Sequence, residues 1–597
     1  MGIFEVLTMI GGLALFLFGM NALSEGLEKL SGGRLEKILQ NLTSSPIKAV
    51  LLGILVTSVI QSSSATTVMV VGFVNSGIMR LTQAVGIIMG ANIGTTTTAW
   101  ILSLSGLEGS NLIMKLLKPT SFSPVLAAIG IIFIMFSKKQ KKKDIGTLLC
   151  GFAILMFGMD MMSDAVSVLK DVPEFGQILL MFSNPILGML AGAVITAVIQ
   201  SSSASVGILQ SLASTGAVPY ATAFPIIMGQ NIGTCITAIL SAIGANKNAK
   251  RAACVHLSFN LLGTIIFMIG FYALDAIFNF AIMDAPIDEA GIAVIHSIFN
   301  IGATLLLLPF SKLLVKLATL IIKDGPEDEL DEEEKDFQVL DPRFLDTPAI
   351  AMEQCRNCTV KMAEVTKNAL RLAIGLLSEY DEKKAQKVVK LEKLTDRYED
   401  ELGTYMVKLS RRSLTEEDSH ALSLLLHTIG DFERIGDHAE EIATAATEMN
   451  EKKLRFSEKA QKELKVLCAA AYDTVDMAFT SFANRDLDMA QRVEPLEEVV
   501  DVLNDELKRR HVQRLTAGTC TIELGFMLSD ITTSLERIAD HCSNVAVGLI
   551  QVAVDSYETH EYLGEFKANA EFGKLYKEYT KQYILPATGP VTTPELQ

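Results

Sequence analysis

The first 322 residues of the chain are short of charge. They hold 18 Lys+Arg and 14 Asp+Glu, out of 52 and 68 in the whole sequence of 597, so 34 basic and 54 acidic residues fall in the remainder. This excludes a single soluble domain. An apolar part of net charge +4 precedes an acidic part of net charge −20, which predicts a membrane domain carrying a soluble one. The acidic surplus also excludes nucleic acid as a partner. Disulfide spacing is missing too. The eight cysteines form no framework, and Cys355 and Cys358 make a lone CxxC, so reduced structural thiols are expected rather than a zinc site. No basic segment precedes the first apolar run, Ile3–Leu23, and no small-residue cleavage site follows it. A retained span is expected rather than a signal peptide. There is no P-loop for ATP and no pattern implying covalent chemistry, so no catalytic residue is assigned and no enzyme is expected.

Apolar runs able to cross a bilayer, about 18–23 residues each, centre on Ile3–Leu23, Leu81–Leu104, Pro124–Phe136, Gly146–Met162, Ala221–Ala242, Leu257–Leu274 and Ala290–Leu308; the third is short. Two further stretches carry the polar tetrad QSSS, at Gln61–Ser64 and Gln200–Ser203. The first extends from Ile47 to Gly77, roughly 45 Å as one helix, more than one crossing needs. Two short arms meeting at an irregular polar tip, a re-entrant hairpin, account for both length and polarity. The sequence also repeats itself. Phe18-Gly19-Met20 recurs as Phe157-Gly158-Met159, Pro46 as Pro185 and Gly77 as Gly216, all at an offset of 139. Residues 57–65 match 196–204 at eight of nine positions, and 87–95 match 226–234 equally well. Repeats of about 3–140 and 145–310 follow.

Basic loops set an orientation. Lys138–Lys143 holds five lysines and marks a cytoplasmic loop. Counting from it, the N-terminus falls outside, Lys29, Arg34, Lys37, Lys247, Lys250, Arg251, Lys312 and Lys316 fall inside, and the acidic loop Asp275–Glu289 falls outside. If the QSSS segments do not cross, three spans separate equivalent points. Three is odd, so the repeats are inverted, with Ser44–Gly77 and Ser183–Gly216 entering from opposite faces.

Inverted repeats with broken, polar-tipped segments point to a transporter site near the midplane. Hydroxyls, an amide and helix-end N–H groups offer neutral donors to an oxyanion and oxygen ligands to a small cation. A neutral site can release its anion, whereas a buried Arg would hold it. Small residues for close helix packing are the competing explanation, and the duplicated glutamine argues against it. The second repeated motif, NIGT, places Asn92 and Thr95 in one copy and Asn231 and Thr234 in the other, with a glycine where a helix could unwind and free carbonyls for Na+. Thr96, Thr97 and Thr98 extend the first copy, while Cys235 and Ile236 interrupt the second. Thr57 and Thr196 stand four residues before each glutamine, as cation ligands or as helix back-bonding hydroxyls. His256–Asn260 (HLSFN) and His296–Asn300 (HSIFN) are functional candidates in a span, with an interhelical hydrogen bond as the simpler account.

The paired QSSS motifs, GANIGT and RAACVHLSFN resemble the sodium-dependent phosphate cotransporters of the type II class and their bacterial relatives, over residues 3–320. That resemblance implies that Gln61, Ser62, Ser63, Ser64, Gln200, Ser201, Ser202 and Ser203 hold phosphate and part of a sodium shell. It implies sodium as the coupling ion, with Thr57, Asn92, Thr95, Thr196, Asn231 and Thr234 as candidate ligands. The large extracellular loop of the animal members is absent.

An acidic linker, 323–344, leads to a second part whose pattern is helical, with little Gly or Pro. It too is duplicated. DFERIGDHAEEIA (Asp431–Ala443) parallels SLERIADHCSNVA (Ser534–Ala546) at an offset of 103, and Leu391–Leu402 parallels Leu496–Leu507 at 105. Two three-helix bundles over 345–560 would accommodate this. Acids stack at helical spacing in Glu392, Asp396 and Asp400; in Glu433, Asp437 and Glu441; in Glu497, Asp501 and Asp505; and in Glu536 and Asp540. A solvated face is one reading. Like charges at i, i+4 cost helix stability, so a divalent or ferric ion held by these oxygens is the other. The ERIxDH segments resemble the PhoU-like phosphate-signalling domain, whose acidic faces bind metal clusters. Residues 583–597 are expected to be disordered.

The expectation is therefore an all-α, multi-pass protein of the cell (inner) membrane: inverted repeats with two re-entrant QSSS hairpins in 1–322, then a cytoplasmic PhoU-like pair of bundles. Sodium-coupled phosphate transport by alternating access is the function expected. Phosphate export, transport of another oxyanion, or a membrane-bound phosphate sensor are the alternatives. Phosphate, sodium, the lipid bilayer and phosphate-signalling proteins are the implied partners.

Overall fold

The computed structural model describes residues 3–31, 45–106, 118–169, 172–323, 336–412, 414–554, 567 and 570–587. Among these residues there are helices and no strand. Contacts divide the chain into two units, Met1–Ile350 and Ala351–Gln597.

The helices of the first unit are α1 (Ile3–Ser31), α2 (Pro46–Ile60), α3 (Ser63–Asn75), α4 (Leu81–Ser103), α5 (Pro119–Phe136), α6 (Gln140–Ser167), α7 (Pro173–Met181), α8 (Pro185–Ile199), α9 (Ser202–Ala213), α10 (Tyr220–Gly233), α11 (Cys235–Ser241), α12 (Lys247–Phe278), α13 (Glu289–Leu307) and α14 (Ser311–Ile321). Among the described residues, six segments are long and apolar enough to cross a membrane: Ile3–Leu27, Leu81–Gly106, Gln140–Ser167, Tyr220–Ser241, Lys247–Phe278 and Glu289–Ile321. The third expected crossing is not one of them, because the apolar part of its helix is only Ser121–Phe136. Phe4, Phe136, Val198, Ile269 and Leu305 lie exposed on outer faces, as side chains facing lipid would.

Each QSSS motif breaks a helical hairpin. Backbone contacts at glycine show how the arms run. A Cβ on Gly90 of α4 would lie 2.0 Å from the Val50 carbonyl of α2, and one on Gly94 would lie 2.9 Å from the Ile54 carbonyl. Numbers rise together, so α2 and α4 are parallel. The helix between them, α3, must return. Gly229 against Met189 and Gly233 against Ala193 set the same parallel pairing of α10 with α8, and α9 is the returning arm. At 15 and 13 residues, α2 and α3 are about 22 and 20 Å long, each short of a bilayer core of about 30 Å.

The inversion of the repeats is visible at α1 and α6, which occupy equivalent places in the two repeats. A Cβ on Gly12 would lie 3.0 Å from the Gly158 carbonyl, and one on Gly151 would lie 3.0 Å from the Gly19 carbonyl. Adding 139 to Gly12 and Gly19 gives Gly151 and Gly158, so these two contacts are one contact repeated about a two-fold axis. Equivalent helices that meet antiparallel in this way belong to inverted units.

The second unit holds α15 (Pro348–Leu376, its first three residues in the first unit), α16 (Glu382–Leu409), α17 (Glu416–Glu451), α18 (Glu458–Asn484), the short α19 (Leu487–Ala490), α20 (Val493–Thr516), α21 (Ile522–Val554) and α22 (Ala570–Gln582). The six long helices from α15 to α21 form two groups of three. Thr366 of α15 meets Thr395 of α16 at 3.4 Å, and α16 packs on α17; α18, α20 and α21 pack together. The duplicated segments on α17 and α21 form the seam between the groups. Ser534 Oγ donates to Glu441 at 2.9 Å, and the Asn544 amide donates to Asp431 at 3.4 Å. An offset of 103 exchanges these pairs of positions, giving a second pseudo-two-fold.

Two boundaries differ from expectation. Residues 336–347 pack back on the first unit, so the division falls after Ile350 rather than after 344. The acidic stretch 324–335 lies outside the described residues. The tail was expected to be disordered from residue 583, yet Tyr583 is buried, its hydroxyl donates to Asp473 at 2.5 Å, and the Pro586 carbonyl accepts from Arg510 at 2.7 Å. These contacts anchor 583–587 to α18 and α20; 588–597 lie outside the described residues.

Candidate functional site

Both tips adopt the same unusual backbone. Gln61 has φ 58° and ψ 21°, and Gln200 has φ 59° and ψ 20°. This left-handed region costs a non-glycine residue roughly 1–2 kcal/mol, and the chain accepts that cost at the same motif twice. The turn ends the first arm, and the next residue caps the second. Ser62 Oγ accepts from Ala65 N at 3.1 Å, and Ser201 Oγ accepts from Ala204 N at 3.2 Å. The N-termini of α3 and α9 are therefore built from serines, with Ser63, Ser202 and Ser203 buried. The two tips approach each other: Ser64 Oγ donates to the Gln200 carbonyl at 3.5 Å.

The copies are held differently. Thr98 Oγ1 donates to Gln61 Oε1 at 2.9 Å, and the Gln61 amide donates to the Ser58 carbonyl. Ser58 also pairs with Thr97 at 2.9 Å, and Thr57 donates to Thr66 at 3.0 Å. In the second copy the counterparts of Ser58 and Thr97 are Ala197 and Ile236, and Gln200 is exposed. Thr196 Oγ1 and Ser205 Oγ, the counterparts of the Thr57–Thr66 pair, are buried without a partner among the described residues.

NIGT does not unwind α4. Gly94 sits inside an unbroken helix and serves close packing, since its Cβ would lie 2.7 Å from that of Thr57. In the second copy the helix is interrupted at Thr234, between α10 and α11. Thr95 and Thr234 donate back to Ala91 and Gln230 at 3.0 Å each, and Asn231 donates to Ile227 at 2.8 Å. Asn92 instead crosses between helices. Its amide donates to Asn260 at 3.0 Å, and its oxygen lies 3.3 Å from His256 Nε2. HLSFN is thus an interhelical clasp. The Asn300 amide turns back to the His296 carbonyl at 2.9 Å, and His296 Nδ1 is buried without a partner among the described residues.

In the second unit the acidic rows converge in pairs. Glu392 and Asp396 of α16 meet Asp437 of α17, and Glu497 and Asp501 of α20 meet Asp540 of α21, with carboxylate oxygens within 4.8 Å in each group.

Family models match residues 15–164 and 172–307 to the Na+/Pi-cotransporter family and 359–446 and 464–547 to the PhoU domain. The uncharacterized protein YqeW of Bacillus subtilis is 32% identical over 308 residues, 51% of this chain and 95% of its own. The chain belongs to the Na+/Pi-cotransporter family. A PhoU domain is fused behind the family's two repeats. A Salmonella typhimurium protein, YjbB, named as a candidate inorganic phosphate export protein, shares this full layout at 25% identity over 93% of this chain and 99% of its own. PhoU homolog 1 of Thermotoga maritima, a phosphate-specific transport system accessory protein, is 27% identical over 36% of this chain and 89% of its own.

In the cotransporter's PhoU part, burial and crowding raise several acids above the ordinary carboxylate range. Burial, then Asp396 and other neighbouring carboxylates, push Glu392 up to about 7. Glu433 also rises to about 7, through burial and then Asp437. Burial with Glu494 and Asp501 beside it pushes Glu497 to about 9, and Asp501 rises to about 6 through burial and Asp540. Asp501 Oδ1 is buried with no hydrogen-bond partner among the described residues. An oxygen-lined site this short of positive charge fits a hard cation. Other acids of the rows are engaged elsewhere: Glu441 with His438 and Ser534, Glu536 with Asn504 and, at 3.5 Å, Lys508. Asp400 and Asp505 join neither group. Sequence reading missed Glu494 and Glu498, which cluster with Glu497. Their spacing before Asp501 was a signal, but Lys567 neutralises both, at 2.9 and 2.5 Å.

Proposed function

We propose that this cotransporter moves inorganic phosphate across the cell membrane coupled to Na+, by alternating access around the two QSSS tips. The meeting of the tips, Ser64 on Gln200, carries the reading. It gathers Gln61, Ser62, Ser63, Ser64, Gln200, Ser201, Ser202 and Ser203 around two helix N-termini whose partial positive charge suits an oxyanion. No lysine or arginine belongs to these motifs, so the anion is held by neutral donors and can leave. Sodium ligands are drawn from Thr57, Thr95, Thr196 and Thr234, with Asn92 and Asn231. The unpaired Thr196 hydroxyl makes the second copy the better supported cation site.

Residues 1–322 form the transport domain, with an outside N-terminus and hairpins entering the bilayer from opposite faces. The PhoU-like part is cytoplasmic, binds a divalent or ferric ion at the two acidic groups, and meets phosphate-signalling proteins. Outward movement is a second reading of direction, favoured by the full-length likeness to YjbB. Uptake and release of labelled phosphate by proteoliposomes, with the Na+ gradient applied in either sense, test both. Flux that ignores Na+ removes the coupling. The absence of flux in either direction removes transport and leaves a phosphate sensor.

A further inference from the structure

We propose that residues 336–347 are a strap that staples the first QSSS hairpin to the second repeat and acts as a brake on transport. The proposal rests on the transport reading above and adds a control element to it.

The strap leaves the linker, turns through a short helix at Pro342–Asp346 and enters α15 at Pro348. Its Phe344 is fully buried. The ring packs on Phe73 of α3 with centroids 5.3 Å apart. It occupies a notch that exists because residue 72 is glycine: a Cβ there would lie 2.6 Å from the ring. Beside it, Asn75 at the end of α3 donates to Asp341 at 2.7 Å, and Arg343 bonds Asp341 at 2.5 Å. Arg343 Nε also donates to the Ser241 carbonyl at the end of α11, at 2.6 Å. Asn75 is joined directly to Asn246, whose backbone N–H donates to Asn75 Oδ1 at 2.8 Å.

α3 is the returning arm of hairpin one, and α11 and Asn246 belong to the second repeat. One short segment therefore ties together two parts that alternating access must move relative to each other. A cleft of about 530 Å³ runs between Asn75, Ser241 and Ile243 on one side and Phe337, Leu340 and Arg343 on the other. The strap continues without interruption into α15, most of which belongs to the second unit. A movement of that unit is thus delivered to hairpin one through covalent backbone.

The test compares full-length protein with Phe344→Ala, which empties the notch, Gly72→Leu, which fills it from α3, and Arg343→Ala, which cuts the link to Ser241. Hydrogen exchange of residues 336–347 reports whether the strap is seated, independently of transport. Phosphate flux in proteoliposomes reports the brake. Faster exchange in all three variants, with flux raised several-fold at unchanged sodium dependence, is the expected result. Unchanged exchange in both Phe344→Ala and Gly72→Leu overturns the seat. Freed straps with unaltered or reduced flux overturn the brake and leave a structural anchor. If the parent protein moves no phosphate in either direction, the transport reading fails and takes the brake with it. The exchange data still decide whether the strap seats in the notch.

Discussion

Replacing Gln200 by Ala is the cleanest perturbation of the candidate site, because the structure separates its role in binding from any role in folding. Gln200 is exposed at its tip, whereas Gln61 is buried and holds Thr98 at 2.9 Å. Gln61→Ala would strand the Thr98 hydroxyl and the Ser58 carbonyl, about 1–3 kcal/mol for each group left unsatisfied. Loss of transport in that variant would be confounded with loss of stability. Gln200→Ala strands nothing comparable, and its melting temperature should match the parent, as changes away from packed features stay within about 0.5 kcal/mol. If the Gln200 amide donates to phosphate, the lost bond to a charged group is worth about 1.5–3 kcal/mol. At about 1.4 kcal/mol per factor of ten, half-saturation for phosphate should rise roughly 10- to 150-fold. The left-handed backbone at residue 200 supplies an internal control. Gln200→Gly removes the same amide while relieving the strain of that conformation. Both variants should lose affinity alike, measured by labelled phosphate uptake over a concentration series. A normal half-saturation in Gln200→Ala refutes the phosphate contact. Recovery in Gln200→Gly alone shows that the backbone, not the amide, was at stake.

Gly90→Ala and Gly229→Ala place a methyl 2.0 and 1.9 Å from the carbonyls of Val50 and Met189. Each should cost about 3 kcal/mol or more by forcing helices apart, and parent-like melting in detergent would contradict the hairpin packing. In the PhoU part, metal at about a hundredfold above Kd should add roughly 2.7 kcal/mol of stability; Glu433→Gln with Asp437→Asn should erase much of the resulting rise in melting temperature. Indifference of melting to chelator would end the metal assignment. With chelator present, acidification should stabilise. Glu497 at about 9 and Glu392 and Glu433 at about 7 in the folded state lie above the ordinary value of 4.5, so the folded chain binds these protons more tightly. Their contribution is complete below about 4.5 and is lost as pH rises through 7 and 9. A melting temperature that climbs from pH 6 to 8.5 in metal-free protein has the wrong sign for this account.

Much of the architecture was legible in the residues themselves. A hydrophobic run long enough for a bilayer and a polar tetrad inside another are local facts. A repeat at a fixed offset needs only the chain compared with itself. Inversion was expected from a parity of crossings that counts the short Pro124–Phe136 helix; the reciprocal approach of Gly12 to Gly158 and of Gly151 to Gly19 supports it independently of that count. The acidic rows were legible for the same reason: spacing of four puts side chains on one helical face whatever the surroundings.

What the sequence could not carry are the partners a side chain meets across helices. NIGT reads the same in both copies, yet Asn92 is drawn to His256 and Asn260, and Asn231 to its own helix. The glycine of that motif looked like a point of unwinding and is a point of close approach in α4, a choice made by α2 lying against it. Four acidic rows looked alike until packing joined Glu392 and Asp396 to Asp437, and Glu497 and Asp501 to Asp540, while a lysine far along the chain claimed Glu494 and Glu498. Phe344 read as part of a linker, and only the notch at Gly72 made it part of the membrane unit. Periodicity and repetition are properties of one dimension. Which donor meets which acceptor, and which carboxylate stays uncompensated, depends on distances of a few ångströms between residues a hundred positions apart, and only the folded chain sets those.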